Sequence, residues 1–147
     1  MSPIATSATA VPGEPFIVAK YTFVVAGTTS PPKLQMATVA SSAPALGIAV
    51  PESLVVALPQ TRSGEISGSR APALLAQHAS AVDAMLVGPG MQSARAAHAL
   101  LAPLVGRLRD DATLILDAAA IEVLRTDETL LTPLDGRAVL TPHAGEM

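Results

Sequence analysis

Short runs of apolar, often β-branched residues recur along this chain at Tyr21 to Ala26, Leu34 to Val39, Ser53 to Leu58, Ala84 to Val87, Thr113 to Leu116 and Ala138 to Leu140. Each has the length of a buried strand. Between several of them lie Ala- and Leu-rich segments with helical patterning, Ala43 to Val50, Ala71 to Ala81, Ser93 to Leu108 and Ala118 to Leu124. The third is the clearest: Ala97, Leu100, Leu101, Leu104 and Leu108 recur at three- and four-residue spacing, while Arg95, Arg107 and Arg109 lie off that face. Pro103 falls inside it and predicts a kink or an interruption, because proline removes a backbone donor and crowds the preceding turn. Strand and helix in alternation predict an α/β fold, a mostly parallel sheet covered by helices.

One connection departs from that scheme. Only Gly27-Thr28-Thr29-Ser30-Pro31-Pro32-Lys33 separates Ala26 from Leu34, whereas a parallel crossover takes a dozen residues or more. Either the two flanking strands are antiparallel or a helix is missing there. Residues 1–15 are rich in Ala, Ser, Thr and Pro without periodicity and read as a loose leader, which leaves 16–147 as one domain.

Composition narrows the field. Half of the 147 residues are apolar, enough for a core, yet only 2% are aromatic, so that core is built from Ala, Val, Leu and Ile. The net charge of -3 and the scatter of the nine basic residues argue against a nucleic-acid partner. No stretch has the roughly 18 apolar residues of a membrane span, and the N-terminal residues lack the pattern of a secretory signal, so the default location is the cytoplasm. With no cysteine in the chain, disulfides, thiolate metal sites and a cysteine nucleophile are excluded together.

Three strand ends carry candidate chemistry. Val87-Gly88-Pro89-Gly90 follows a strand and precedes a helix start at Gln92 and Ser93; its glycines allow a ligand close to the backbone, and free helix amides favour an anion. The same turn can be plain structural punctuation. Asp117, between Leu116 and Ala118-Ala119-Ala120, either orients a ligand group or caps the following helix. The segment Leu140-Thr141-Pro142-His143-Ala144-Gly145-Glu146-Met147 packs a hydroxyl, an imidazole, a carboxylate and a glycine into six positions, a set able to hold a substrate group or move a proton, although in an arbitrary sequence it reads as a frayed end with polar residues in water. His78 and His98 sit in helical stretches without an acidic neighbour at ligand spacing and read as structural, so no metal site is predicted. Asp110 with Asp111, and Asp127 with Glu128, read as solvated turns. No P-loop, nucleophile elbow, HExxH or GxGxxG fingerprint is present.

In order and spacing, these segments resemble the ADP-dependent NAD(P)H-hydrate dehydratases, a branch of the ribokinase-like superfamily. The resemblance rests on Lys33-Leu34-Gln35-Met36-Ala37-Thr38-Val39, Ala49-Val50-Pro51-Glu52, Val87-Gly88-Pro89-Gly90-Met91, Leu116-Asp117-Ala118 and Leu140 to Met147. It covers the chain from Lys33 onward; the closing motif is the most specific, and Ala144 stands where the family usually has a second proline. The resemblance implies a three-layer ribokinase-like fold and a repair lyase that removes water from hydrated NADH or NADPH (NADHX, NADPHX) at the expense of ADP or ATP, with Mg2+ as a companion of the nucleotide. It implies that Gly88, Gly90, His143, Gly145 and Glu146 bind substrate, with Asp117 and Thr141 in support. A homo-oligomer is left open. Relative to the family, a glycine-rich turn and helix are missing around Thr28 to Pro32. The aspartate taken as catalytic base falls beyond Met147, so the catalytic residue itself is unknown and the domain is expected to be incomplete at its C-terminus. A non-catalytic nucleotide-binding or partner-dependent α/β fragment is the alternative.

Overall fold

The computed structural model describes residues 16–19 and 33–142. In chain order its elements are β1 (Phe16–Ala19), β2 (Gln35–Val39), α1 (Ala43–Ala49), β3 (Leu54–Leu58), α2 (Ala71–Ala79), β4 (Ala84–Val87), α3 (Ala94–Val105), β5 (Thr113–Leu116), α4 (Ala119–Glu122) and β6 (Ala138–Leu140), with 3-10 turns at Val123–Arg125 and Thr132–Leu134. The strands form one six-stranded sheet in the order β3-β2-β1-β4-β5-β6. The pairs β2-β3, β4-β5 and β5-β6 are parallel, and β1 runs antiparallel to both β2 and β4. The fold is therefore α/β with a mostly parallel sheet, as the strand and helix alternation predicts.

The antiparallel strand is where reading and structure differ. The strand beside β2 is Phe16–Ala19, a four-residue apolar run outside the predicted strands. The expected strand Tyr21 to Ala26, the leader 1–15 and nearly all of the short Gly27 to Lys33 connection lie outside the described residues.

The core lies on one face of the sheet. Ala37, Val39, Leu58, Met85, Val87, Leu114 and Leu116 project from alternate strand positions against Leu75 and Ala79 of α2 and Ala97, Leu100, Leu101, Leu104 and Val105 of α3. Each of the three buried leucines of α3 contributes about 1.5–3 kcal/mol by leaving water. The predicted apolar stripe of α3 is the buried one, with Leu108 half-buried just beyond the helix end and Arg95, Arg107 and Arg109 exposed. Ser93 caps the helix by accepting from the Ala96 amide at 3.2 Å. Pro103 does not interrupt it: the helix continues to Val105 and stops two residues later, where a missing donor costs least because few turns remain to be held.

The step from β2 to β3 travels across the sheet in the opposite direction to the steps from β4 to β5 and β5 to β6. Right-handed crossovers therefore place α1 on the face opposite α3, where a Cβ built on Gly47 would stand 3.9 Å from the Val55 side chain. With α1 packed on β3, this gives the three layers. The second face is thinly covered among the described residues: α1 has no buried residue, Ile48 is 83% exposed and Val139 of β6 is 48% exposed.

Candidate functional site

Strands β4, β5 and β6 lie side by side and parallel, with Val87, Leu116 and Leu140 in register. The residues that follow them, Gly88, Asp117 and Thr141, therefore leave the sheet together at its carboxyl edge, where open α/β sheets bind ligands. The backbone laces the three tips: the Asp117 amide donates to Val87 O at 3.0 Å, and the Thr141 amide donates to Leu116 O at 3.0 Å. Gly88 lies so close to the next tip that a Cβ there would stand 1.7 Å from the Asp117 carbonyl oxygen, and its φ of +127° suits glycine alone. Glycine is thus required in this turn by the packing of the two strand ends. Gly90, with φ +76°, completes it, and the Met91 amide closes it by donating to Gly88 O at 2.8 Å.

The two readings of Asp117 part here. Its carboxylate does not cap α4; the residue in the cap position is Ala118, with no side-chain cap bond. Instead Asp117 Oδ1 accepts from Thr141 Oγ1 at 2.8 Å, while its backbone carbonyl accepts from the Ala120 amide at 3.1 Å. Ala118 makes this possible by taking φ 46° and ψ -132°, a conformation normally left to glycine. The turn is strained, and it lies against the candidate site.

An open cavity of about 300 Å3 adjoins the glycine turn. Gly90, Met91, Gln92, Ser93 and Ala96 form one wall, and the loop from Ser63 to Ile66 forms the other. That loop is a small hairpin closed by the Gln60–Ile66 bridge and by the Glu65 amide and Ser63 hydroxyl, both bonded to Thr61 Oγ1. Its only mark in the sequence is Ser63-Gly64, a turn signal between a strand and a helix. So the structure brings Gly88, Asp117 and Thr141 into contact and sets Gly90 on the cavity wall. His143, Gly145 and Glu146 lie outside the described residues.

The remaining histidines have structural partners. His78 Nδ1 meets Gln35 Oε1 at 2.8 Å, tying α2 to the start of β2. His98 Nε2 bonds Asp127 Oδ2 at 2.9 Å, a partner 29 residues away that local spacing cannot reveal. Asp127 is accordingly more than a solvated turn residue: the His98 bond first, and then the Thr129 hydroxyl, hold its carboxyl below the usual range. Asp111 is likewise held low by the Arg109 guanidinium, which also pairs with Asp83. Among the described residues no group of three His, Asp or Glu side chains is placed to hold a metal ion, and no helix is long and apolar enough to cross a membrane.

The model of the NAD(P)H-hydrate dehydratase family matches residues 32–147. The chain belongs to that family. Its similarity extends to an ADP-dependent (S)-NAD(P)H-hydrate dehydratase of Xanthomonas campestris pv. campestris, 47% identical over 118 residues, which are 78% of this chain and 37% of that protein. A bifunctional NAD(P)H-hydrate repair enzyme of Moorella thermoacetica is 36% identical over 69% of this chain and 19% of its own length. Another from Thermanaerovibrio acidaminovorans is 31% identical over 71% of this chain and 20% of its own length. The chain thus spans little more than a third of the first relative and about a fifth of the other two. No solved structure matches it. Membership of this family agrees with the ribokinase-like architecture expected from the sequence motifs.

Proposed function

We propose that this chain acts in the repair of hydrated NADH and NADPH, as the dehydratase that removes water from NADHX and NADPHX at the expense of ADP. The observation that carries this reading is the family match over residues 32–147, which includes the tips of β4, β5 and β6, together with the 47% identity to an ADP-dependent dehydratase over 118 residues. Hydroxide is a poor leaving group, so the reaction needs the substrate hydroxyl converted first. Attack of that hydroxyl oxygen on the terminal phosphorus of ADP releases AMP; loss of phosphate, with a proton from the neighbouring ring carbon, then restores the double bond.

In this reading the Gly88-Pro89-Gly90 turn receives a phosphate or the substrate at its backbone on the Gly90 side, which forms part of the cavity wall, while Gly88 lets the Asp117 strand end approach. His143, Gly145 and Glu146 line the pocket of the hydrated ring, and Asp117 and Thr141 support it from the neighbouring strand ends. ATP is the alternative co-substrate, and Mg2+ would arrive with the nucleotide phosphates, since that ion characteristically combines one or two carboxylates with phosphate oxygens. The cytoplasm, where reduced nicotinamide cofactors are used, is the compartment that suits the role.

The test is to incubate the chain with NADHX and either ADP or ATP, and to follow recovery of the reduced-nicotinamide absorbance. Nucleotide-dependent recovery, faster with ADP, supports the reading. Recovery independent of nucleotide, or none while NADHX and ADP also fail to bind, rejects it; binding without turnover identifies a ligand-holding module in place of an enzyme.

A further inference from the structure

Thr141 has one hydroxyl proton and two acceptors in reach. Leu116 O, at 3.3 Å, already accepts the Thr141 amide at 3.0 Å; Asp117 Oδ1, at 2.8 Å, is nearer and charged. The proton therefore goes to the carboxylate, where a charge-assisted bond is the stronger one. The Thr141 hydroxyl is itself anchored, because its backbone is held to β5, so it fixes the rotamer of Asp117 from the adjacent strand. Among the described residues Asp117 has no Lys, Arg or His within ion-pair distance, and its second oxygen accepts no hydrogen bond from them. A half-buried carboxylate at the ligand edge thus presents one unoccupied acceptor in a fixed direction.

We infer that Thr141 is a positioning residue, and that it aims Asp117 Oδ2 at a hydroxyl group of the bound substrate. This inference rests on the dehydratase reading and deepens it. An ionised carboxylate accepts hydrogen bonds and donates none, so it suits a sugar or hydrated-ring hydroxyl and repels a phosphate. The anionic part of the ligand is then directed away from Asp117, toward the glycine turn and the wall of the adjoining cavity. The strained Ala118 is consistent with this division: it frees the Asp117 side chain from capping α4 and leaves it to Thr141.

The experiment titrates NADHX, and separately NADH, into the 147-residue chain and into Asp117→Ala, Thr141→Val, Thr141→Ser and the Asp117→Ala/Thr141→Val double variant, by calorimetry, with urea unfolding of each. Asp117→Ala should weaken NADHX binding about tenfold or more, the worth of a hydrogen bond to a charged group. Thr141→Val should weaken it several-fold, Thr141→Ser should bind as the parent does, and the double variant should be no weaker than Asp117→Ala alone, because Thr141 acts only through Asp117. A loss for NADHX alone places the contact at the ring hydroxyl; an equal loss for NADH places it at a ribose. Thr141→Val binding as tightly as the parent, or losses that simply add in the double variant, would overturn the inference while leaving the dehydratase reading standing. If the parent binds neither ligand, that reading falls and takes this inference with it. A Thr141→Val chain that unfolds is replaced as evidence by Thr141→Ser, whose failure to bind would also count against the positioning role.

Discussion

Gly88→Ala is the substitution on which the proposed strand-tip geometry can be weighed most cleanly. Two costs combine at this position. The backbone stands at φ +127°, where a side chain costs about 1–3 kcal/mol. The new methyl group would also stand 1.7 Å from the Asp117 carbonyl oxygen and 3.1 Å from Ala120 Cβ, an overlap with backbone that no rotamer relieves and that adds about 1–3 kcal/mol as β4 and β5 are pushed apart. A loss of about 3 kcal/mol or more is a large part of the roughly 5–15 kcal/mol that holds an ordinary domain folded. Gly64→Ala and Gly136→Ala are the controls, since both glycines have positive φ, +86° and +81°, with nothing within 4 Å of a Cβ; they should lose only the backbone part, about 1–2 kcal/mol. Urea denaturation of the three variants, read by circular dichroism, gives the comparison directly. If Gly88→Ala loses no more than the two controls, the close approach of the Gly88 turn to Asp117 is wrong.

Other outcomes follow from the same structure. Ala118→Gly should stabilise the chain by about 1 kcal/mol, because the strain of the φ 46° turn exceeds the extra entropy that glycine loses on folding; a lower urea midpoint would contradict it. Leu100→Ala, at a position with no exposed surface on α3, should cost about 2–5 kcal/mol, whereas Ile48→Ala on the exposed side of α1 should change the midpoint little. Asp127 has its carboxyl held low by His98, so its contribution is present above the ordinary carboxylate pKa of about 3.9 and is lost as pH falls through the lower folded value. The stability gap between the parent and Asp127→Asn should accordingly close as pH falls below about 4; a gap that does not shrink there would contradict the assignment.

The α/β class, the helical segments and five of the six described strands are legible because short apolar runs mark the strands and three- and four-residue spacing marks the helices; α3 is the clearest case, since its stripe of leucines meets the core residue for residue. Phe16–Ala19 is not, because the longer Tyr21 to Ala26 run close by outcompetes it on composition. The role of Asp117 is also hidden from the sequence: capping and side-chain pairing are equally open until β6 brings Thr141 alongside, 24 residues later. The same holds for His98 and Asp127. The wall from Ser63 to Ile66 is missed for a different reason, since a polar loop acquires meaning only from what it folds against. The strand-end glycines, by contrast, are recognisable from the order of strand, Gly-Pro-Gly and helix alone.

The central claim is that the carboxyl edge of β4, β5 and β6 receives the hydrated cofactor, and amide chemical-shift mapping during titration with NADHX tests it most directly. The account predicts that the amides of Gly88, Gly90, Asp117, Thr141 and His143 shift together and saturate at one ligand concentration, while those of Ile48 and Ala49 on α1 stay in place. Shifts confined to α1 and β3, or strand-tip amides that remain unmoved while NADHX binds, would contradict it.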